Sequence, residues 1–304
     1  MSTGGPTTLV QLVSSPHSGS TILGVILGSA DEVVYGGEMD RIPDPVWHSG
    51  LQCSCGQPTA QCPFWSEVRR RFEPAHSVPA FEAGQRRFEP WSALGRTVAA
   101  RTLGSPAFRQ HAEETAAFVQ AVAATAGRSI VIDSSKLVGR SLVYAAARSP
   151  SLRVRYLHLV RDGRSVLSSR RARRDRVGAP VTSPRFATRM ARRWVVANLA
   201  YSTLLARQRP DYLRLRHEDL LRDPEGTLRL LERFLGVSLA APLRKLCDGS
   251  VFPVVHVPTG NRFRLTGEVR FRRPEGTAPD PAAAGERRAF WRVAGPLARW
   301  YGYQ

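Results

Sequence analysis

The chain has 304 residues, an apolar content of 42% and a formal charge of +19, which excludes a disordered or fibrous protein and is ample for one large folded domain. It contains no run of about 18 apolar residues to span a bilayer, and residues 1–8 lack the basic start and apolar core of a secretory signal. The charge is almost entirely arginine, with Lys136 and Lys245 the only lysines; without zinc-finger spacing, an RNP-type motif or heptads, it reads as a basic surface around a polyanion site rather than a nucleic-acid interface.

Residues 1–8 are expected to form a short tail on a cytoplasmic protein, followed by a single domain over 9–304. An apolar strand over 9–13 runs into Ser14-Ser15-Pro16-His17-Ser18-Gly19, and a helical pattern opens at once with Ser20-Thr21-Ile22-Leu23. Backbone N–H groups and a helix N-terminus then converge on one spot, which suits an anion. The Walker motif needs Lys before the hydroxyl residue, and here Ser20 and Thr21 follow Gly19 directly, so the loop suits a phosphate but not the β/γ-phosphates of ATP.

A second strand is predicted over 32–35, followed by Gly36-Gly37-Glu38-Met39-Asp40-Arg41. From 40 to 105 the chain is rich in Pro, Gly and aromatics with few clean periods. It is too long for a structureless loop, so short helices over the site are expected, an irregular insertion on the acceptor side. Its aromatics (Trp47, Phe64, Trp65, Phe72, Phe81, Phe88 and Trp91) either line a pocket or form core. Within it, Cys53, Cys55 and Cys62 form a C-x-C-x6-C cluster whose spacing is not a standard zinc pair; it could share a zinc ion completed by Cys247 or a histidine, hold a disulfide, or stay reduced, as the cytosol favours.

Pattern returns with a helix over 107–126, a strand over 129–132 and a helix over 137–147. A strand over 153–160, a helix over 165–173, a long helix over 186–208 and a strand over 212–216 follow. Pro224 lies near the start of a further helix that stops at Gly236. Alternation of this kind predicts an α/β fold: a three-layer, mainly parallel sheet flanked by helices, with its ligand at the carboxyl ends of the strands.

The strand over 153–160 ends in Val160-Arg161-Asp162-Gly163-Arg164, and Ser169 follows about two helical turns on. This motif and the loop at Ser15–Thr21 together resemble the 3′-phosphate motif and the 5′-phosphosulfate loop of sulfotransferases that use 3′-phosphoadenosine-5′-phosphosulfate (PAPS). The likeness covers residues 9–236 and is to the bacterial branch, with motif similarity to tyrosylprotein sulfotransferases. It implies a P-loop nucleoside-triphosphate-hydrolase-like sulfotransferase fold, PAPS as donor, adenosine 3′,5′-bisphosphate as product and no required metal. The loop residues His17, Ser18, Gly19, Ser20 and Thr21, with Arg161 and Ser169, would hold the cofactor. Gly260, Asn261, Arg262 and Arg264 resemble a late basic loop of the family that does the same.

The resemblance makes Glu38 the base for the acceptor proton. On the residues alone, Glu38 is as readily an exposed loop acid or a structural partner of Arg41 as it is the base, with Asp40 in reserve. Lys136 emerges from a buried strand in a chain that otherwise uses arginine, and it would be the cation on the leaving oxygen. His17 departs from the Lys or Arg usual at its position; it would contact the transferred group or act as a rival base. Asp162 and Arg164 are expected to fix their turn. In His217-Glu218-Asp219-Leu220, His217 replaces the family's tyrosine and the acids are expected to be structural. Arg170-Arg171-Ala172-Arg173-Arg174-Asp175-Arg176 forms either a basic rim or a solvated helix end. The family's C-x-C-G…C-x-F-W segment places the cysteines in the scaffold or acceptor region, outside the chemistry. The expected acceptor is a hydroxyl, or less readily an amine, of a small molecule, glycolipid or carbohydrate. A small-molecule kinase and a non-catalytic nucleotide binder are the competing readings.

Overall fold

A computed structural model describes residues 5–48, 50–175, 183–208, 211–271 and 284–304, with the side chains of 173–175 and 208 excepted. The elements in chain order are β1 (Thr7–Ser14), α1 (Ser20–Leu27), β2 (Val33–Tyr35), α2 (Pro63–Phe72), α3 (Val78–Phe88), α4 (Leu94–Thr102) and α5 (Pro106–Ala126). They continue with β3 (Ile130–Asp133), α6 (Val138–Ala146), β4 (Leu152–Val160), α7 (Gly163–Asp175), α8 (Pro184–Leu204) and β5 (Tyr212–Arg216). The chain closes with α9 (His217–Arg222), α10 (Pro224–Leu235), α11 (Ala240–Cys247), β6 (Val251–Pro253), β7 (Glu268–Arg270) and α12 (Ala284–Trp300).

A five-stranded sheet in the order β2-β3-β1-β4-β5 carries the fold, and each adjacent pair is parallel. Strand β1 is central and apolar on both faces, as a doubly covered parallel sheet requires. Leu9 and Val13 face a core shared with α2, α3, α5 and α6, while Val10 and Leu12 face one shared with α1 and α10. The expected three layers are therefore present. The chain passes from β1 beyond β3 to the edge strand β2, then returns across β1 to β4. The crevice at the carboxyl end of β1 lies where the order reverses, which is where open α/β sheets bind ligands.

Helix α8 starts at Pro184, with Ser183 accepting from Phe186 N at 3.2 Å, two residues ahead of the sequence expectation because Ser-Pro is itself a cap-and-first-turn signal. The residues from 40 to 105 form true helices, α2 to α4, but these pack on α5 and α6. Their aromatics are core: Trp47, Trp65, Phe72, Phe81 and Phe88 join Phe118 in one cluster, with Phe64 and Trp91 at its margin. The hairpin β6-β7 and helices α11 and α12 were not legible in the sequence. Helix α12 packs along α8 through Phe290, Ala294 and Ala298, an i, i+4, i+8 stripe otherwise diluted by arginine.

Candidate active site

Strands β1 to β4 of the main sheet each lead to a residue at one place. The loop after β1 turns through His17 at φ 69° and Gly19 at φ 90° before α1 begins. Gly19 is the N-cap and makes no side-chain cap, and the first turn of α1 carries no acid. Its leading amides are thus aimed outward, uncapped by a side chain, in a field that favours an anion. A Cβ on Gly19 would lie 2.7 Å from His217 Nδ1, so the tight turn and the ring beneath it both require glycine.

Glu38 follows β2 and Lys136 follows β3, and Lys136 Nζ donates to Glu38 Oε1 and, at 3.1 Å, to Ser134 O. Both side chains are partly buried, at 26% and 17% exposure, so the pair is weakly screened. Glu38 therefore pairs with Lys136 where Arg41 was the sequence alternative. Arg161 follows β4 and donates from Nη1 to His17 O at 2.9 Å, which joins the turn after β4 to the loop after β1. Burial pulls its guanidinium below the usual range, opposed by Glu218 and Asp162.

A cavity of about 390 Å³ brings these parts together: His17, Gly19, Ser20, Thr21, Glu38, Lys136, Arg161, Ser169, Gly260 and Asn261 all line it. Ser18 is buried beneath the loop, where its hydroxyl meets Ser15 Oγ at 2.8 Å. Arg262 is exposed and Arg264 is buried; neither lines the cavity. Arg41 and Phe263 do line it. Both stand in segments already singled out, but only the folded loop shows which side chain turns inward.

A profile of the sulfotransferase family matches residues 10–241. The chain belongs to that family. No curated protein sequence matches it. Among solved structures, the sulfotransferase domain of the Synechococcus PCC 7002 olefin synthase is similar at 20% identity and TM-score 0.50, over 100% of this chain and 98% of that one. The sulfotransferase domain from the curacin biosynthetic pathway shows 17% identity and TM-score 0.48, over 99% and 98%. A sulfotransferase from Alicyclobacillus acidocaldarius shows 15% identity and TM-score 0.44, over 99% and 97%. The chemistry of this sulfotransferase is accordingly sulfuryl transfer. Among the described residues, no helix is long and apolar enough to cross a membrane.

What holds this cavity in shape was not legible in the sequence. Asp133 ends β3 fully buried; its Oδ1 accepts from Met39 N at 3.0 Å and Ser135 N at 2.8 Å. Its Oδ2 accepts from Arg140 Nε at 2.8 Å and Tyr144 OH at 2.6 Å, and Arg140 Nη1 also bonds both oxygens of Glu89. One carboxylate thus pins the residues next to Glu38 and next to Lys136. These bonds and Arg140 hold its pKa below the usual range against burial. The only available signal was an acid closing an otherwise apolar strand.

Asp162 accepts from Arg164 N at 2.8 Å, and Glu218 accepts from Asp162 N at 2.9 Å and Tyr303 OH at 2.8 Å. These residues build the turn, as expected. Of the basic run, Arg176 and the side chains of Arg173, Arg174 and Asp175 lie outside the described residues. Cys53, Cys55 and Cys62 converge with His256, not with Cys247.

Proposed function

We propose that this enzyme moves a sulfuryl group from PAPS to a hydroxyl, less readily an amine, of a small-molecule, glycolipid or carbohydrate acceptor by in-line displacement. The observation that carries the reading is the Lys136–Glu38 pair inside the cavity that the uncapped α1 amides, Arg161 and Ser169 also line. The chain's residues suit a polyanion: His17, Lys136 and Arg161 line the cavity together with Ser20 and Thr21, and no acid other than Glu38 lines it among the described residues. When bound, PAPS supplies the activated sulfuryl group and a phosphate leaving group.

In this reading the loop amides and the hydroxyls of Ser20 and Thr21 hold the 5′-side phosphate, while Arg161 and Ser169 hold the 3′-phosphate. Lys136 moves from Glu38 to the leaving oxygen, where a compact cation offsets the developing charge. That move frees the Glu38 carboxylate to accept the acceptor's proton as the new S–O bond forms. His17 keeps its donor beside the transferred group. No metal is required for these steps. The protein's part is alignment and charge stabilisation, as in phosphoryl transfer.

Thermal unfolding with adenosine 3′,5′-bisphosphate, 5′-AMP, ATP and ATP plus Mg²⁺ tests the cofactor class. At about a hundred times its dissociation constant the bisphosphate should add roughly 2.7 kcal/mol, and 5′-AMP much less. Stabilisation by ATP plus Mg²⁺ alone would replace this reading with a kinase.

A further inference from the structure

We propose that Cys53, Cys55, Cys62 and His256 bind one zinc ion in a closed, tetrahedral structural site. Their ligand atoms lie within 4.8 Å of one another. Cys55 Sγ is 3.6 Å from Cys62 Sγ, and Cys62 Sγ is 3.3 Å from His256 Nδ1. With Zn–S near 2.3 Å and Zn–N near 2.0–2.1 Å, a tetrahedral ion spaces such ligands about 3.8 and 3.6 Å apart. The cluster therefore needs shifts of only a few tenths of an ångström at these two edges. Three thiolates and an imidazole are also the donor set that zinc takes in structural sites.

The local backbone presents those donors. Cys53 O accepts from Gly56 N at 3.0 Å and Cys53 N donates to Gln57 O at 2.8 Å, a turn that carries two thiols. Cys62 is the N-cap of α2, where the helix end stabilises a thiolate. His256 stands at φ 53°, sparsely populated for a residue with a side chain. Its ring stacks on Phe64 at 5.4 Å, and its carbonyl accepts from Trp65 Nε1 at 2.7 Å. Strain held by such packing is expected where a side chain must be aimed.

Charge supplies an independent sign. Three thiolates around Zn²⁺ leave one net negative charge, and the charges of Cys53 and Glu38 both favour the protonated guanidinium of buried Arg264. Its Nε and Nη1 meet no acceptor among the described residues, so an anionic centre at the cysteines would add to the charge that Glu38 already offers this buried cation. The site staples two distant segments. Ser54 N donates to Val257 O at 3.2 Å, and Thr259 Oγ1 accepts from Glu38 N at 3.1 Å and donates to Glu38 O at 2.8 Å. The ion would thus anchor the loop that grips Glu38.

Elemental analysis of the full chain, purified under reducing conditions with zinc present, should find about one zinc per chain. Cobalt replacement should give thiolate-to-cobalt charge transfer and tetrahedral d–d bands, with only Cys247 reacting rapidly with a thiol reagent. Cys55→Ser and His256→Gln should weaken metal binding more than about tenfold, and Cys247→Ser should not. The wild-type cobalt spectrum decides the matter even if the variants fail to fold. Less than about a tenth of an equivalent of metal with no cobalt bands, or a Cys55–Cys62 disulfide in the native mass, would overturn the proposal.

Discussion

Glu38 and Gly19 show how little of a side chain's task lies in its own identity. Glu38 is one acid among many until the end of β3 brings Lys136 to its carboxylate. If Glu38 takes the acceptor proton, Glu38→Gln should lower turnover by about 10²- to 10⁴-fold. Binding of adenosine 3′,5′-bisphosphate, read by calorimetry, should stay within a factor of a few; unchanged turnover would remove Glu38 from the chemistry. Gly19→Ala acts through the backbone. Its φ of 90° and the His217 ring 2.7 Å from the new Cβ impose about 1–3 kcal/mol of strain on the loop. Nucleotide affinity should fall roughly tenfold or more in a protein whose circular dichroism is unaltered. An affinity equal to wild type would mean the loop amides do not make the site.

Secondary-structure elements meet at Asp133, and there the site becomes a property of two strands rather than of two residues. The carboxylate joins the turn after β3 to the segment after β2 and accepts from Arg140 Nε on α6. Asp133→Asn would leave Arg140 buried and under-compensated, a loss of about 3–5 kcal/mol in denaturant unfolding. Turnover should fall with it, because Met39 N and Ser135 N lose their charged acceptor on either side of the Glu38–Lys136 pair. A variant within about 1 kcal/mol of wild type would show that the network is dispensable.

The whole molecule has an electrostatic balance that its pH dependence should reveal. His158 is fully buried between Tyr212 OH at 2.8 Å and Asn198 Oδ1 at 3.0 Å, and burial pushes its pKa down to about 4. Burial, then Arg161, pushes His217 down to about 4 as well. Both are neutral in the fold and take up protons more readily when unfolded, so their contribution is complete above about pH 6.5. It is lost as pH falls through about 4. Asp40 has the opposite sign, since burial and then Asp133 push it up to about 6; its contribution is present below about pH 4 and is lost as pH rises through 6. Two histidines outweigh one acid, so urea unfolding should show stability falling from pH 7 to 4.5. His158→Gln should remove about 1–3 kcal/mol of that difference. An unchanged slope would relocate the acid sensitivity to other groups.

The sequence by itself determined the alternation of strands and helices, the Ser/Gly turn between β1 and α1, and the family. These are local: an apolar strand, a Ser/Gly turn and a helix opening lie within a few residues, so short-range sterics and periodicity express them directly. Glu38, Lys136 and Arg161 stood out for the same reason, each at or just beyond a strand end, and Ser169 by its place about two helical turns on in α7. Only the tertiary structure decided that Lys136 pairs with Glu38, that His217 lies under Gly19, and that Arg41 and Phe263 rather than Arg262 and Arg264 line the cavity. It also decided that His256, not Cys247, joins the cysteines, and that the aromatics of 40–105 are core. Each of those outcomes joins segments far apart in the chain, and burial and charge pairing across the sheet's carboxyl edge select among partners that local pattern leaves equivalent.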